Sequence, residues 1–126
     1  MEIRVLIVDD EQHIRDALTD LLDREHGIAV VGAAADAQQA INLAGQTHPD
    51  VALLDVRMPG GGGTVAAGGI HRASPETKMI ALSAQEDASS VVEMLTRGVG
   101  EYIVKDSPPG DIVDAIRRAG SEETPS

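Results

Sequence analysis

Five residues able to handle charge or a proton each stand directly after a short apolar run. Asp9 and Asp10 follow "IRVLIV", Asp55 follows "VALL", Ser83 follows "MIAL" and Lys105 follows "YIV". Three carboxylates, a hydroxyl and an ammonium can together hold a hard cation and act on a charged, oxygen-rich group. Carboxylates brought within a few ångströms repel one another, which raises their pKa values unless a cation joins them. Mg2+ suits such a set better than Ca2+, because it keeps several of its waters and takes only one or two carboxylates. Each residue alone has a plainer reading. Asp9 or Asp10 could cap the helix that follows, Asp55 could be a turn residue, Ser83 could be a cap, and Lys105 could be a solvated charge. Their joint occurrence after four of the five apolar runs favours one shared site.

The runs themselves are Ile3 to Val8, Ile28 to Ala33, Val51 to Leu54, Met79 to Leu82 and Tyr102 to Val104. Between them apolar residues recur at helical spacing: Ile14, Leu18, Leu21 and Leu22; Ala37, Ala40, Ile41 and Ala44; Val91, Val92 and Leu95; then Ile112, Val113 and Ile116. This is a β-α alternation. The first and third runs are apolar on both faces, as parallel strands covered on either side by helices must be. The expected fold is α/β: a doubly wound five-stranded parallel sheet of flavodoxin-like order 2-1-3-4-5, with helices on both faces. In such a sheet ligands bind beyond the carboxyl ends of the strands, where the five polar residues fall. Helix ends are expected at "HGI", "HPD", "ASPETK" and "RGVGE". In "GGGGTVAAGGIHRA" each glycine costs about 1 kcal/mol relative to alanine in a helix, so the third helix is expected to be short, frayed or late-starting.

The ordered set Asp9-Asp10, Asp55, Ser83, Lys105 resembles the receiver domain of bacterial two-component response regulators, from about Ile3 to Ala119. The resemblance implies that Asp55 is the phosphoacceptor and that Asp9, Asp10 and the backbone carbonyl of Arg57 organise Mg2+ beside it. It implies that Ser83 is the switch hydroxyl, Lys105 the partner of the phosphoryl group, and Tyr102 the switch aromatic. Met58-Pro59, Gly63 and the small Ala84 match further positions of the family. The implied partners are a sensor histidine kinase and an output domain or downstream protein. The implied role is a phosphorylation-dependent switch in a phosphorelay, read out on the surface of helix 4, strand 5 and helix 5. That surface would control an output, expected to be transcriptional.

The chain departs from the family in places. Lys105 is followed by Asp106 rather than the common proline, so that peptide is predicted trans; a non-proline cis bond costs roughly 2.5–4 kcal/mol. "KDSPPGDI" is similar to receivers joined to helix-turn-helix output domains. Gly62 stands where an acidic or Asn residue is usual, and the glycines at 60–63 are expected to leave the loop after Asp55 mobile. Arg57 and Gln85, each two residues past a site residue, flank the expected path of attacking water and are read as setting the lifetime of an acyl phosphate.

Composition bounds these readings. A chain of 126 residues suits one domain, read as residues 1–119, with 120–126 as a disordered tail or linker. Trp, Phe and Cys are absent and Tyr102 is the only aromatic residue, so the core must be aliphatic and no disulfide or thiolate metal site is available. A net charge of -11 repels a phosphate backbone, which argues against direct nucleic-acid binding by this segment. No apolar stretch reaches the roughly 20 residues of a membrane span, and the expected location is cytoplasmic. Two other classes compete with the switch. A receiver-like interaction module that never uses phosphate would not need the complete polar set. A magnesium-dependent phosphatase or nucleotide enzyme would need a phosphate loop, and "GGGG" lacks the Gly-Lys-Ser/Thr ending. The dispersed His13, His26, His48 and His71 offer no metal spacing and are expected to be exposed. A homodimer through the last helices finds no exposed apolar stripe to support it.

Overall fold

The computed structural model describes residues 2–58, 62–84 and 88–121. The strands are β1 (Ile3–Val8), β2 (Ile28–Ala34), β3 (Val51–Asp55), β4 (Lys78–Ser83) and β5 (Val99–Val104). They alternate with helices α1 (Gln12–Asp23), α2 (Ala37–Thr47), α3 (Gly62–Ala73), α4 (Ala88–Leu95) and α5 (Pro109–Ser121). All pairings are parallel and the order is β2-β1-β3-β4-β5, as the sequence implied.

Two-residue periodicity splits the core into two layers. Leu6, Val8, Ala52, Leu54 and Ala81 face α2, α3 and α4, where they meet Ala40, Ala44, Ala66, Ala67, Ile70 and Met94. Val5, Ile7, Val51, Leu53 and Leu82 face α1 and α5 and meet Leu18, Leu22, Ile112 and Ile116. Strand β1 is wholly buried from Val5 to Val8 because it is covered on both sides.

Three expectations need correction. Helix α3 is neither short nor late: it runs 12 residues from Gly62. Its glycines are used for close approach. A Cβ on Gly69 would stand 2.2 Å from Cδ1 of Ile41 on α2, and one on Gly63 would stand 2.8 Å from both the Asp55 carbonyl oxygen and Cε of Met94. The packing they allow offsets their poor helix propensity. Strand β5 starts at Val99, three residues before the apolar run, because Met79 pairs with Val99 and Ile80 with Glu101, leaving Gly100 as a bulge. The polar segment from Gly120 onward begins with two residues that are still helical, and Gly120 lies against Ile3. The Lys105–Asp106 peptide is trans.

The edge of the sheet opposite the strands' carboxyl ends is tied by a buried hydroxyl pair. Thr77 Oγ1 donates its one proton to the Pro49 carbonyl at 2.7 Å, so the 2.7 Å contact with Ser74 Oγ must be donated by Ser74. Thr77→Val leaves both partners buried and unsatisfied. The expected loss is about 2 kcal/mol of unfolding free energy by urea titration; no change would show that the α3–β4 turn relaxes to satisfy them otherwise.

Candidate functional site

Strand register brings the polar residues together. Val8 pairs with Leu54, so Asp9 and Asp55 are the next residues on neighbouring strands; Asp55 in turn pairs with Leu82, and Ser83 with Val104. Backbone bonds carry the ladder one step further, from Asp9 N to Ala34 O (3.0 Å), Val56 N to Leu82 O (3.1 Å) and Lys105 N to Ser83 O (2.8 Å). Asp55 and Ser83 therefore end their strands, Asp9 and Lys105 sit one residue past theirs and Asp10 two, and the sheet carries them all on one edge.

Oxygens of Asp9, Asp10 and Asp55 lie within 4.8 Å of one another. Asp9 and Asp55 are buried, 1% and 2% exposed, whereas Asp10 is exposed. Lys105 Nζ meets Asp55 Oδ1 at 2.7 Å, and the Arg57 amide donates to the same oxygen at 3.3 Å. Asp9 Oδ1 accepts the Glu11 amide at 2.9 Å. Its Oδ2 is the one buried side-chain oxygen or nitrogen among the described residues with no partner. A buried, partnerless carboxylate oxygen on a residue grouped with two further carboxylates is what a hard divalent cation fits, so the residues present suit Mg2+.

Burial pushes the Asp9 carboxyl up to about 6; the Glu11 amide works against this, and the neighbouring Asp55 and Asp10 charges add to it. Burial also raises Asp55, although Lys105 and the Arg57 amide pull the other way. Lys105 itself loses water, which disfavours its charge, yet the bond to Asp55 prevails and raises its pKa. The trio is thus overcharged with one lysine alone.

The helix-cap reading of the acidic pair is not met, because neither Asp9 nor Asp10 is the cap residue of α1. The residue capping α1 is Glu11, whose side chain makes no cap bond, while Asp9 bonds the Glu11 amide with only one of its two oxygens. Ser83 is buried at the end of β4. Tyr102 is 53% exposed, and with Ser83, Ala84, Val91, Val92, Leu95 and Val104 it lines a cavity of about 440 Å³. Pro59, Gly60, Gly61 and Gln85 lie outside the described residues, and with them the expectations for the glycine loop and for Gln85. All four histidines are exposed, and none joins a metal-holding group among the described residues. No described helix is long and apolar enough to cross a membrane.

Two features escaped the sequence reading. The Arg15 guanidinium donates to the Asp9 carbonyl at 2.8 Å; five residues past Asp10 on α1, it resembled any surface arginine of an amphipathic helix. Met94, fully buried on α4, packs against Gly63, the residue that also comes close to the Asp55 carbonyl.

A doubly wound sheet with an acidic trio against a lysine at its carboxyl edge defines a receiver-type module. The chain belongs to the response regulator receiver domain family, whose model matches residues 5–117. It is 37% identical over 122 residues to the transcriptional regulatory protein YxjL of Bacillus subtilis, covering 97% of this chain and 56% of that one. It is 36% identical over 115 residues to the response regulator GacA of Pseudomonas viridiflava, covering 91% and 54%. The response regulator domain of Thermotoga maritima CheB superposes with a TM-score of 0.88 at 30% identity, covering 98% of this chain and all of that one. The chain spans about half the length of the curated relatives it matches.

Proposed function

We propose that this chain is a phosphorylation-dependent signalling switch whose phosphoacceptor is Asp55 and whose phosphodonor is a partner sensor histidine kinase. The observation that carries the reading is the 2.7 Å contact of Lys105 Nζ with Asp55 Oδ1, beside two further carboxylates within 4.8 Å. An Asp55 oxygen attacks phosphorus; the new O–P bond forms as the P–N bond breaks, and the bonding pair leaves on the imidazole nitrogen. A phosphohistidine protonated on its other nitrogen thus departs as neutral imidazole. Lys105 offsets charge on the transferring oxygens, so the residues mainly position and neutralise. Asp9, Asp10, Asp55 and the Arg57 carbonyl would hold Mg2+, which when bound supplies further neutralisation of phosphoryl charge.

The modification adds roughly -1.5 to -2 charge and strong acceptors. Ser83 turns its hydroxyl to a phosphoryl oxygen, and Tyr102 moves into the cavity the two residues share. A modification shifts such an equilibrium only by its differential free energy for the two states. The changed surface of α4, β5 and α5 then controls an output, with transcriptional regulation favoured by the relatives' names. The receiver unit runs through α5 to Ser121, and the residues after it lead toward that output. The segment acts in the cytoplasm, catalyses no turnover of a free substrate and contacts no nucleic acid itself.

Incubation with Mg2+ and a small phosphodonor, followed by intact-mass measurement, is expected to give one phosphate increment that Asp55→Asn abolishes. An increment that survives Asp55→Asn, on serine or histidine, overturns the assignment.

A further inference from the structure

We propose that Arg15 is a positioning residue of the metal site, holding the Asp9–Asp10 peptide so that the Asp10 carboxylate points at Asp9 and Asp55. The inference rests on the metal reading above and goes beyond it in assigning a role to a side chain outside the acidic trio.

The restraints on the two acidic residues are unequal. Asp9 is fixed at three points: its amide on Ala34 O, its carboxylate on the Glu11 amide, and its carbonyl on Arg15. Asp10 is exposed, and its carboxylate makes no hydrogen bond or ion pair with another described residue. Its aim therefore depends on the orientation of the peptide plane that joins it to Asp9. That plane is set by its carbonyl oxygen, which is the atom Arg15 NH1 holds at 2.8 Å. The arginine is well anchored for this task. Its amide and that of Ile14 both bond Glu11 O at 3.1 Å in the first turn of α1, its carbonyl accepts the Thr19 hydroxyl at 2.8 Å, and its side chain is half-buried. A bond to a ligand's backbone acts as the outer partners of metal ligands do: it fixes orientation without occupying a ligand atom.

Charge and position predict opposite signs for the loss of this side chain. Arg15→Met keeps most of the apolar stem and removes a cation from the neighbourhood of a dication. Electrostatics alone would then tighten Mg2+ binding. Loss of positioning weakens it, by roughly tenfold on the scale of outer-partner substitutions.

The test is calorimetric titration of the 126-residue chain with MgCl2, for the unsubstituted protein and Arg15→Met. The expected result is a Kd raised roughly tenfold, with the rate of phosphorylation by acetyl phosphate restored at saturating Mg2+. Unchanged or tighter binding overturns the role of Arg15. Should Arg15→Met fail to fold, Arg15→Lys decides: net charge is constant, the shorter reach loosens the bond, and weaker binding is again expected, whereas equal binding overturns it. An unsubstituted chain without saturable Mg2+ binding removes the metal reading itself, and this inference with it.

Discussion

Asp9→Asn is expected to make the metal-free protein more stable, by about 2–3 kcal/mol at neutral pH, while abolishing the stabilisation that Mg2+ confers. Asparagine keeps an oxygen for the Glu11 amide and replaces the partnerless Oδ2 by a neutral group. The magnitude follows from linkage. The Asp9 carboxyl is raised from 3.8 to about 6 in the folded state, so between those values the native protein binds the extra proton and stability falls as pH rises. Above about pH 6 the whole penalty is present, at 1.36 kcal/mol per unit. Below about pH 4 both states are protonated and the variant's advantage vanishes. Thermal unfolding across pH checks this: a variant gain near 10 °C at neutral pH, shrinking to nothing in acid, is expected. The same proton competes with the metal, so Mg2+ affinity should weaken by up to tenfold per unit below about pH 6. A variant less stable than the parent at neutral pH would mean that the Asp9 charge is already compensated without metal.

The site was legible because parallel strands leave a simple trace. A residue following an apolar run in a doubly wound sheet must lie at the carboxyl edge, and Val8, Leu54, Leu82 and Val104 end their runs beside one another. Five separated polar residues thus converge without any knowledge of loops. The helices were less legible where packing overrides propensity. Six glycines between residues 60 and 69 read as a helix breaker, yet the α2–α3 contact at Ile41 and Gly69 and the meeting of Gly63 with Met94 need the missing side chains. Helix propensity describes a helix alone in water, and these contacts exist only in the folded protein. The start of β5 was misread because Gly98 and Gly100 look like a turn, whereas Gly100 is accommodated as a bulge. The role inferred for Arg15 had no sequence signal, since nothing in a period of 3.6 distinguishes a guanidinium aimed at a carbonyl from one in solvent.

Lys105→Met should move two measurements in opposite directions, tightening Mg2+ and slowing phosphoryl transfer. The ammonium lies 2.7 Å from Asp55 Oδ1, so it competes with any cation for that carboxylate. Removing it relieves repulsion worth about 1–2 kcal/mol at a water-like dielectric constant near 80 and a separation of roughly 4–8 Å, a roughly fivefold to thirtyfold gain in Mg2+ affinity. Transfer loses the charge that offsets the phosphoryl oxygens, and a fall of at least about tenfold in rate at saturating Mg2+ is expected, on the scale of losing one preorganised donor. Metal-free stability should drop by about 1–3 kcal/mol, less than for a fully buried pair, because the Lys105 side chain is 41% exposed. Calorimetry, phosphorylation kinetics and urea unfolding read the three effects separately, and a transfer rate equal to the parent's would remove Lys105 from the chemistry. The contrast with Arg15 is the stricter test of the geometry. Both residues are cations beside the same acidic trio, yet one bonds a carboxylate and opposes the metal, while the other bonds a backbone carbonyl and orients the carboxylates for it. Their methionine variants should therefore shift Mg2+ affinity in opposite directions, an outcome that no treatment of the site as a mere sum of charges can give.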